Sequence, residues 1–280
     1  MMVTQVIDYK NATVADVETM LEWAAREGWN PGLDDAAAFY CADPGGFFAA
    51  TENGRTVGCI SVVNHNDEFA FLGLYIVRPS HRGRGIGIGL WQRGLAHAED
   101  RVVGLDGVHE QQQNYARSGF VLVGRTTRYA GKINGESAVN IRRATHHDIP
   151  ALVDMEAQAS GSKKIRYLAN WFENSASRVT FVVEAGDKIA GCATVRRCRN
   201  GNKFGPLVAH DTAMARMLFF HAACQFEGDY MIDVPDSSIG MTELCQQAGL
   251  QPGFATARMY LGQQPTMMAC CYAVATLELG

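Results

Sequence analysis

The first half of the chain divides into apolar runs of strand or helix period, separated by the turn signals NPG, DPGG and ENG. The pattern predicts strands at 3–9, 47–51, 56–64, 68–77, 101–106 and 120–129, and helices at 14–27, 33–41, 86–99 and 109–118. In the segment 68–77, Phe69, Phe71, Gly73, Tyr75 and Val77 share one face, and Ala70, Leu72, Leu74 and Ile76 the other. Both faces are apolar, so this strand is expected to be central and covered on both sides. Gly73 inside it predicts a bulge or the close approach of another backbone.

The pattern also repeats. TVADVETMLEW (13–23) matches THHDIPALVDM (145–155), GCISV (58–62) matches GCATV (191–195), and SGF (118–120) matches AGL (248–250). The offsets are 132, 133 and 130, so order and spacing hold over most of each half. Thr13-x-x-Asp16 and Thr145-x-x-Asp148 are variants of the helix capping box, placed at matching positions. Two copies of one α+β unit follow, joined near the polar segment GKINGES (131–137), with domains expected at 1–138 and 139–280.

Composition narrows the function. The chain has 280 residues, 47% hydrophobic and 19% charged, enough for two domains with cores. A net charge of −4 carries no electrostatic footprint for DNA or RNA, so no nucleic-acid partner is expected. The start, MMVTQVIDYKN, lacks the cationic and apolar regions of a secretory signal. No apolar run approaches the ~20 residues that span a bilayer, so a cytoplasmic protein without a membrane partner is expected. The eight cysteines show no CxxC or metal-like spacing and read as reduced, mostly buried thiols; no metal site is expected. The vicinal pair Cys270-Cys271 would send its side chains to opposite faces of a strand.

The chemistry concentrates at RPSHRGRGIGIGL (78–90), where glycines stand at 83, 85, 87 and 89 between the strand 68–77 and the helix 86–99. The unbroken alternation does not match GxGxxG, and GK[ST] is absent. What is matched is R/Q-x-x-G-x-G/A, by Arg82, Gly85 and Gly87. With NYARSGF (114–120) at the expected distance, the chain strongly resembles the GNAT acetyltransferase superfamily. WNPG, FYCADPGGF and the ending YAVATLELG resemble its tandem subgroup, which carries a second acetyltransferase-like domain. The resemblance implies two tandem GNAT-like domains, each a mixed, mainly antiparallel sheet flanked by helices. It also implies a loop holding the pyrophosphate of acetyl-CoA, the co-substrate. Residues 82–87 (Arg82, Gly83, Arg84, Gly85, Ile86 and Gly87) can turn successive N–H groups toward a diphosphate at the positive mouth of a helix. Ile76 and Val77 are expected to hydrogen-bond the pantetheine arm.

Acetyl transfer to an amine needs a neutral nucleophile, a stabilised oxyanion and a proton for the leaving thiolate. The resemblance points to Tyr115, four residues before Gly119, as the acid that meets the CoA sulfur. A tyrosine merely packing its ring at a helix end is the plainer alternative. Many relatives place a glutamate on the strand before the loop, but Phe69–Val77 contains no carboxylate, and Asp67 and Glu68 at its start are expected to face solvent. Asp106, at the end of the next strand, is the candidate base or equally the cap of the helix beginning near His109; His65 and His109 are further candidates. Without a strong base, an α-amine of pKa ~8 is deprotonated at pH 7 more cheaply than a lysine-like amine near ~10.4. Small amino-acid-like acceptors therefore rank above protein lysines. Their pocket is expected under residues 27–47, from Trp29, Asn30 and Tyr40 with Tyr75; Phe39 reads equally as core.

In the second copy the place of the glycine loop reads KFGPLVAHDTAMARML (203–218), without the four glycines or a counterpart of Arg82. The expectation is an acetyl-CoA-dependent N-acetyltransferase acting on a small-molecule amine by direct transfer, binding one CoA in its first half. The alternative is a non-catalytic acyl-CoA-binding sensor.

Overall fold

Both Thr-x-x-Asp motifs close as capping boxes, Thr13 with Asp16 and Thr145 with Asp148, so the two halves begin alike. The computed structural model describes residues 6–280; residues 3–5 of the predicted first strand lie outside the described residues. The first copy runs β1 (Ile7–Asn11), α1 (Val14–Arg26), α2 (Asp35–Ala42), β2 (Phe47–Glu52), β3 (Arg55–Asn64), β4 (Phe69–Val77), α3 (Ile86–Ala98), β5 (Val102–Gly107), α4 (Gln112–Arg117) and β6 (Val121–Gly131). The second repeats that order as β7 (Ile141–Arg143), α5 (Ile149–Ser160), α6 (Ile165–Trp171), β8 (Arg178–Ala185), β9 (Lys188–Arg197), β10 (Asn202–Ala209), α7 (Thr212–Ala222), β11 (Tyr230–Pro235), α8 (Ile239–Gln247) and β12 (Gln251–Leu261), then adds β13 (Cys271–Ala273).

All strands join one sheet in the order β1-β2-β3-β4-β5-β12-β6-β11-β10-β9-β8-β7, with β13 beside β10. Neighbours are antiparallel except β4–β5 and β10–β11, each the parallel step at the centre of its copy. The join between copies is an exchange. β12 lies between β5 and β6, and β6 lies between β12 and β11. A division at residue 138 separates the repeats in sequence, whereas the hydrogen bonding crosses it. The helices cross it too: Phe39 on α2 is fully buried, stacked 6.1 Å from Trp171 and edge-on 6.0 Å from Tyr167, both on α6. Buried Asp35 beside it binds Arg178 (3.5 Å) and Arg196 (3.3 Å), whose guanidinium groups lie over the Trp171 ring.

β4 is covered on both faces, as its composition predicts. Its pairing with β5 ends at Leu72↔Leu105, and its register with β3 slips between Gly73 and Ile76. Leu74 inside this bulge has φ +46°, a left-handed conformation rare for a non-glycine residue. The backbone that Gly73 admits belongs to the chain's last residues. After β13 they run buried into the first copy, and a side chain at Gly73 would collide with the carbonyl of Glu278. His65 Nε2 donates to the Leu279 carbonyl at 2.8 Å. Burial drops the His65 pKa to about 3, so it is a neutral anchor for this tail rather than a base.

Candidate active site

β4 ends at Val77, a short turn follows at Pro79–His81, and α3 starts from Gly85. The four glycines serve two purposes. Gly83 (φ +77°) and Gly85 (φ +79°) adopt the left-handed conformation, with open space where a Cβ would stand. Gly87 and Gly89 instead lie under tyrosine hydroxyls: a Cβ at 87 would be 2.5 Å from Tyr75 Oη, and one at 89 would meet Tyr9. Among the described residues, no backbone carbonyl accepts from the amides of Gly83, Arg84, Gly85, Ile86 or Gly87. These unpaired donors stand at the positive end of a 13-residue helix. They border a groove of about 460 Å³, lined by residues 75–77 of β4, by the loop, and by Glu27 and Trp29 opposite.

Both loop arginines are tied down. Arg82 Nε donates to the Val77 carbonyl (2.9 Å), and its Nη2 lies 3.3 Å from Glu27. Arg84 binds Glu52, which also receives His81. The groove thus meets Arg82, held by Glu27, together with Gly83 and residues 85–87, and Ile86 buries its side chain beneath.

The groove continues into a smaller cavity of about 60 Å³ that shares Trp29, Tyr75, Val108 and Gln111 with it. Tyr115 lines this inner cavity, 7% exposed, its ring stacked 5.6 Å from Trp91 and packed on Phe120. Its hydroxyl has no hydrogen-bonding partner among the described residues. Burial, with Tyr75 nearby, raises its pKa well above the ordinary phenol value, so the proton stays on the oxygen.

The expected acceptor side is only partly assembled. Trp29 and Tyr75 line the inner cavity. Tyr40 does not; it packs against Phe47. Asn30 is committed to the second copy: its Nδ2 donates to the Asn200 carbonyl (2.8 Å) and its Oδ1 accepts from the Asn200 amide (3.2 Å). Asp106 does line the cavity, but both its oxygens are taken by Arg258 of β12, at 3.0 and 2.6 Å, and Thr256 donates to it as well. With both oxygens engaged, Asp106 is one half of an ion pair and caps no helix. Asp67 and Glu68 are exposed, as expected, and His109 lies in an exposed turn.

One lining carboxylate was not among the expected site residues. Glu278, carried in by the tail, is 3% exposed among Trp29, Gly73, Tyr75 and Tyr115, and its Oε1 is buried without a hydrogen-bond partner. The available signal was a single acidic residue in the otherwise apolar ending AVATLELG. In the second copy the matching places are filled by the protein itself. Asp211 caps α7, accepting from the Met214 amide at 2.8 Å, and β13 lies against β10.

Comparison with known proteins agrees with this geometry. Residues 14–120 match the model of the acetyltransferase (GNAT) family, and 152–270 match that of an acetyltransferase (GNAT) domain. Holothin acyltransferase of Pseudoalteromonas sp. (strain SANK 73390) is 33% identical over 276 residues, spanning 97% of this chain and 94% of its own. A Pyrococcus horikoshii crystal structure superposes with a TM-score of 0.84 at 20% identity, over 100% of this chain and 98% of that one. A tandem GNAT protein from the clavulanic acid biosynthesis pathway does so at 0.62 and 14% identity, over 94% and 100%.

Proposed function

Since the chain belongs to the GNAT family as a tandem acyltransferase, we propose that its first copy moves an acetyl group from acetyl-CoA to the amine of a small, amino-acid-like molecule. The observation that carries this is the row of five unpaired amides at the mouth of α3, opening on a groove that leads to Tyr115. Those amides fit a diphosphate: they are fixed, they converge at a helix N-terminus, and neither Gly83 nor Gly85 places a side chain before them. The edge of Ile76 and Val77 facing away from β3 has no strand partner and would hold the pantetheine arm.

Acetyl-CoA supplies an activated thioester; the protein supplies placement and protons. Tyr115 keeps its proton at every working pH and is held by Trp91 and Phe120, so it acts as the donor that meets the developing thiolate. The small inner cavity favours an acetyl group over a long acyl chain, and a compact acceptor over a polypeptide. A relative named for acylating holothin supports a discrete compound as acceptor. The test is acetyl-CoA-dependent thiol release across amines, amino-acid amides and a lysine peptide. Turnover is expected with compact α-amines, and a clear preference for the lysine peptide would contradict the acceptor class.

A further inference from the structure

We infer that Glu278, delivered by the second copy's tail, is the acceptor-side base of the first copy's site, a role that rests on the transferase reading above. Among the described residues, every other deeply buried carboxylate has a cationic partner: Asp35 has Arg196, Asp106 has Arg258, Asp233 has Arg128, and Glu156 has Lys164. Glu278 enters no ion pair, and its Oε1 has no partner, although burying an unsatisfied carboxylate is costly. Of these deeply buried acids Glu278 is the one without a cationic partner, and it lines the cavity that Tyr115 also lines, where an entering group would meet it.

The carboxylate is also rigidly delivered. The Leu279 amide donates to Thr276 Oγ1 (3.0 Å), His65 holds the Leu279 carbonyl, and the Glu278 backbone fills the gap left by Gly73. It lines one cavity with Tyr75 on β4, Asp106 on β5, itself paired with Arg258 of β12, and Tyr115 on α4. The charged groups that act on the carboxylate are Lys203 on β10, Asp35 on α2, Arg196 on β9 and Arg128 on β6, whose partner Asp233 is on β11; it acts in turn on Tyr167 of α6. The three cations favour the ionised form. Burial, the largest influence, and Asp35 outweigh them and raise the Glu278 pKa above its ordinary value.

The proton balance closes. The acceptor's ammonium gives one proton to the Glu278 carboxylate, which returns it to water. The freed nitrogen lone pair forms the C–N bond as the C–S bond breaks, and the sulfur takes the Tyr115 proton. The second proton lost from nitrogen restores Tyr115 through water. Ammonium and thioester become amide, thiol and one released proton.

The test uses the full chain with Glu278→Gln and Glu278→Asp, acetyl-CoA, and 2-phenylethylamine and glycinamide as acceptors. Glu278→Gln is expected to lower kcat by ~10²–10⁴ and abolish the acidic limb of the kcat/KM profile, with acetyl-CoA affinity unchanged by calorimetry. Glu278→Asp should recover part of the rate. Melting gives a second readout: because the folded pKa is raised, wild type loses stability relative to the Gln variant as pH climbs from the ordinary carboxylate range through the raised value. Above neutral pH Glu278→Gln should therefore melt roughly 2–4 °C higher, a gain that vanishes in acid. A variant that binds acetyl-CoA and keeps full kcat with its acidic limb would overturn the role, and so would one that melts below wild type at every pH. A wild type that neither binds acetyl-CoA nor acylates either amine would remove the transferase reading and this role together.

Discussion

Tyr115 is wedged against Trp91 and Phe120 with a free hydroxyl, an arrangement that suits the proton-donor role proposed for it. Tyr115→Phe should keep the packing and acetyl-CoA affinity while lowering kcat by ~10²–10⁴; steady-state kinetics beside calorimetry separates the two. Asp106 should behave oppositely. Arg258→Ala leaves a buried carboxylate unpaired and is expected to cost about 3–5 kcal/mol in chemical denaturation, a structural loss rather than a catalytic one. Tyr115, Trp29 and Tyr75, which line one cavity, could be singled out because each sits within or beside a recognisable local motif. The hydrogen bonds that engage Asn30 and Asp106 were not legible, because their partners, Asn200 and Arg258, lie 170 and 152 residues away. Glu278 could not be placed because nothing local says that the last residues return to β4.

At the level of elements, most strands and helices of the first copy match the sequence expectation within a residue or two, since apolar period and capping are local. The repeat was legible for the same reason. The exchange of β6 and β12 was not: both strands keep their pattern whichever copy they pair with, and only the long-range ladder records the choice. A fragment of residues 1–138 would strip β6 of both its neighbours, β11 and β12. It should show no cooperative thermal transition by circular dichroism, and co-expression with residues 139–280 should restore one. A sharp independent transition in the fragment would contradict the exchange. The glycine loop makes a finer distinction. Gly87→Ala pushes a methyl against the Tyr75 hydroxyl, whereas Gly85→Ala meets open space but strains a left-handed residue by about 1–2 kcal/mol. Both should weaken acetyl-CoA binding, and in a tyrosine-fluorescence comparison Gly87→Ala alone should perturb Tyr75.

Across the molecule, two copies of one fold share a sheet and a core yet have divided their tasks. One keeps a helix mouth with unpaired amides; the other closes its own with Asp211 and β13, and sends its tail into its neighbour's site. No described helix is long and apolar enough to cross a membrane. The central claim is that the chain holds a single acetyl-CoA, on the loop 82–87. Titration calorimetry of wild type and Gly85→Asp tests it most directly. The substitution sets a like charge before the diphosphate, in addition to backbone strain, and several charge-assisted hydrogen bonds at ~1.5–3 kcal/mol each would be lost. One site per chain in the wild type, and no measurable heat from a Gly85→Asp protein that still melts cooperatively, is the predicted result. Two sites per chain, or tight binding retained by the variant, would contradict it.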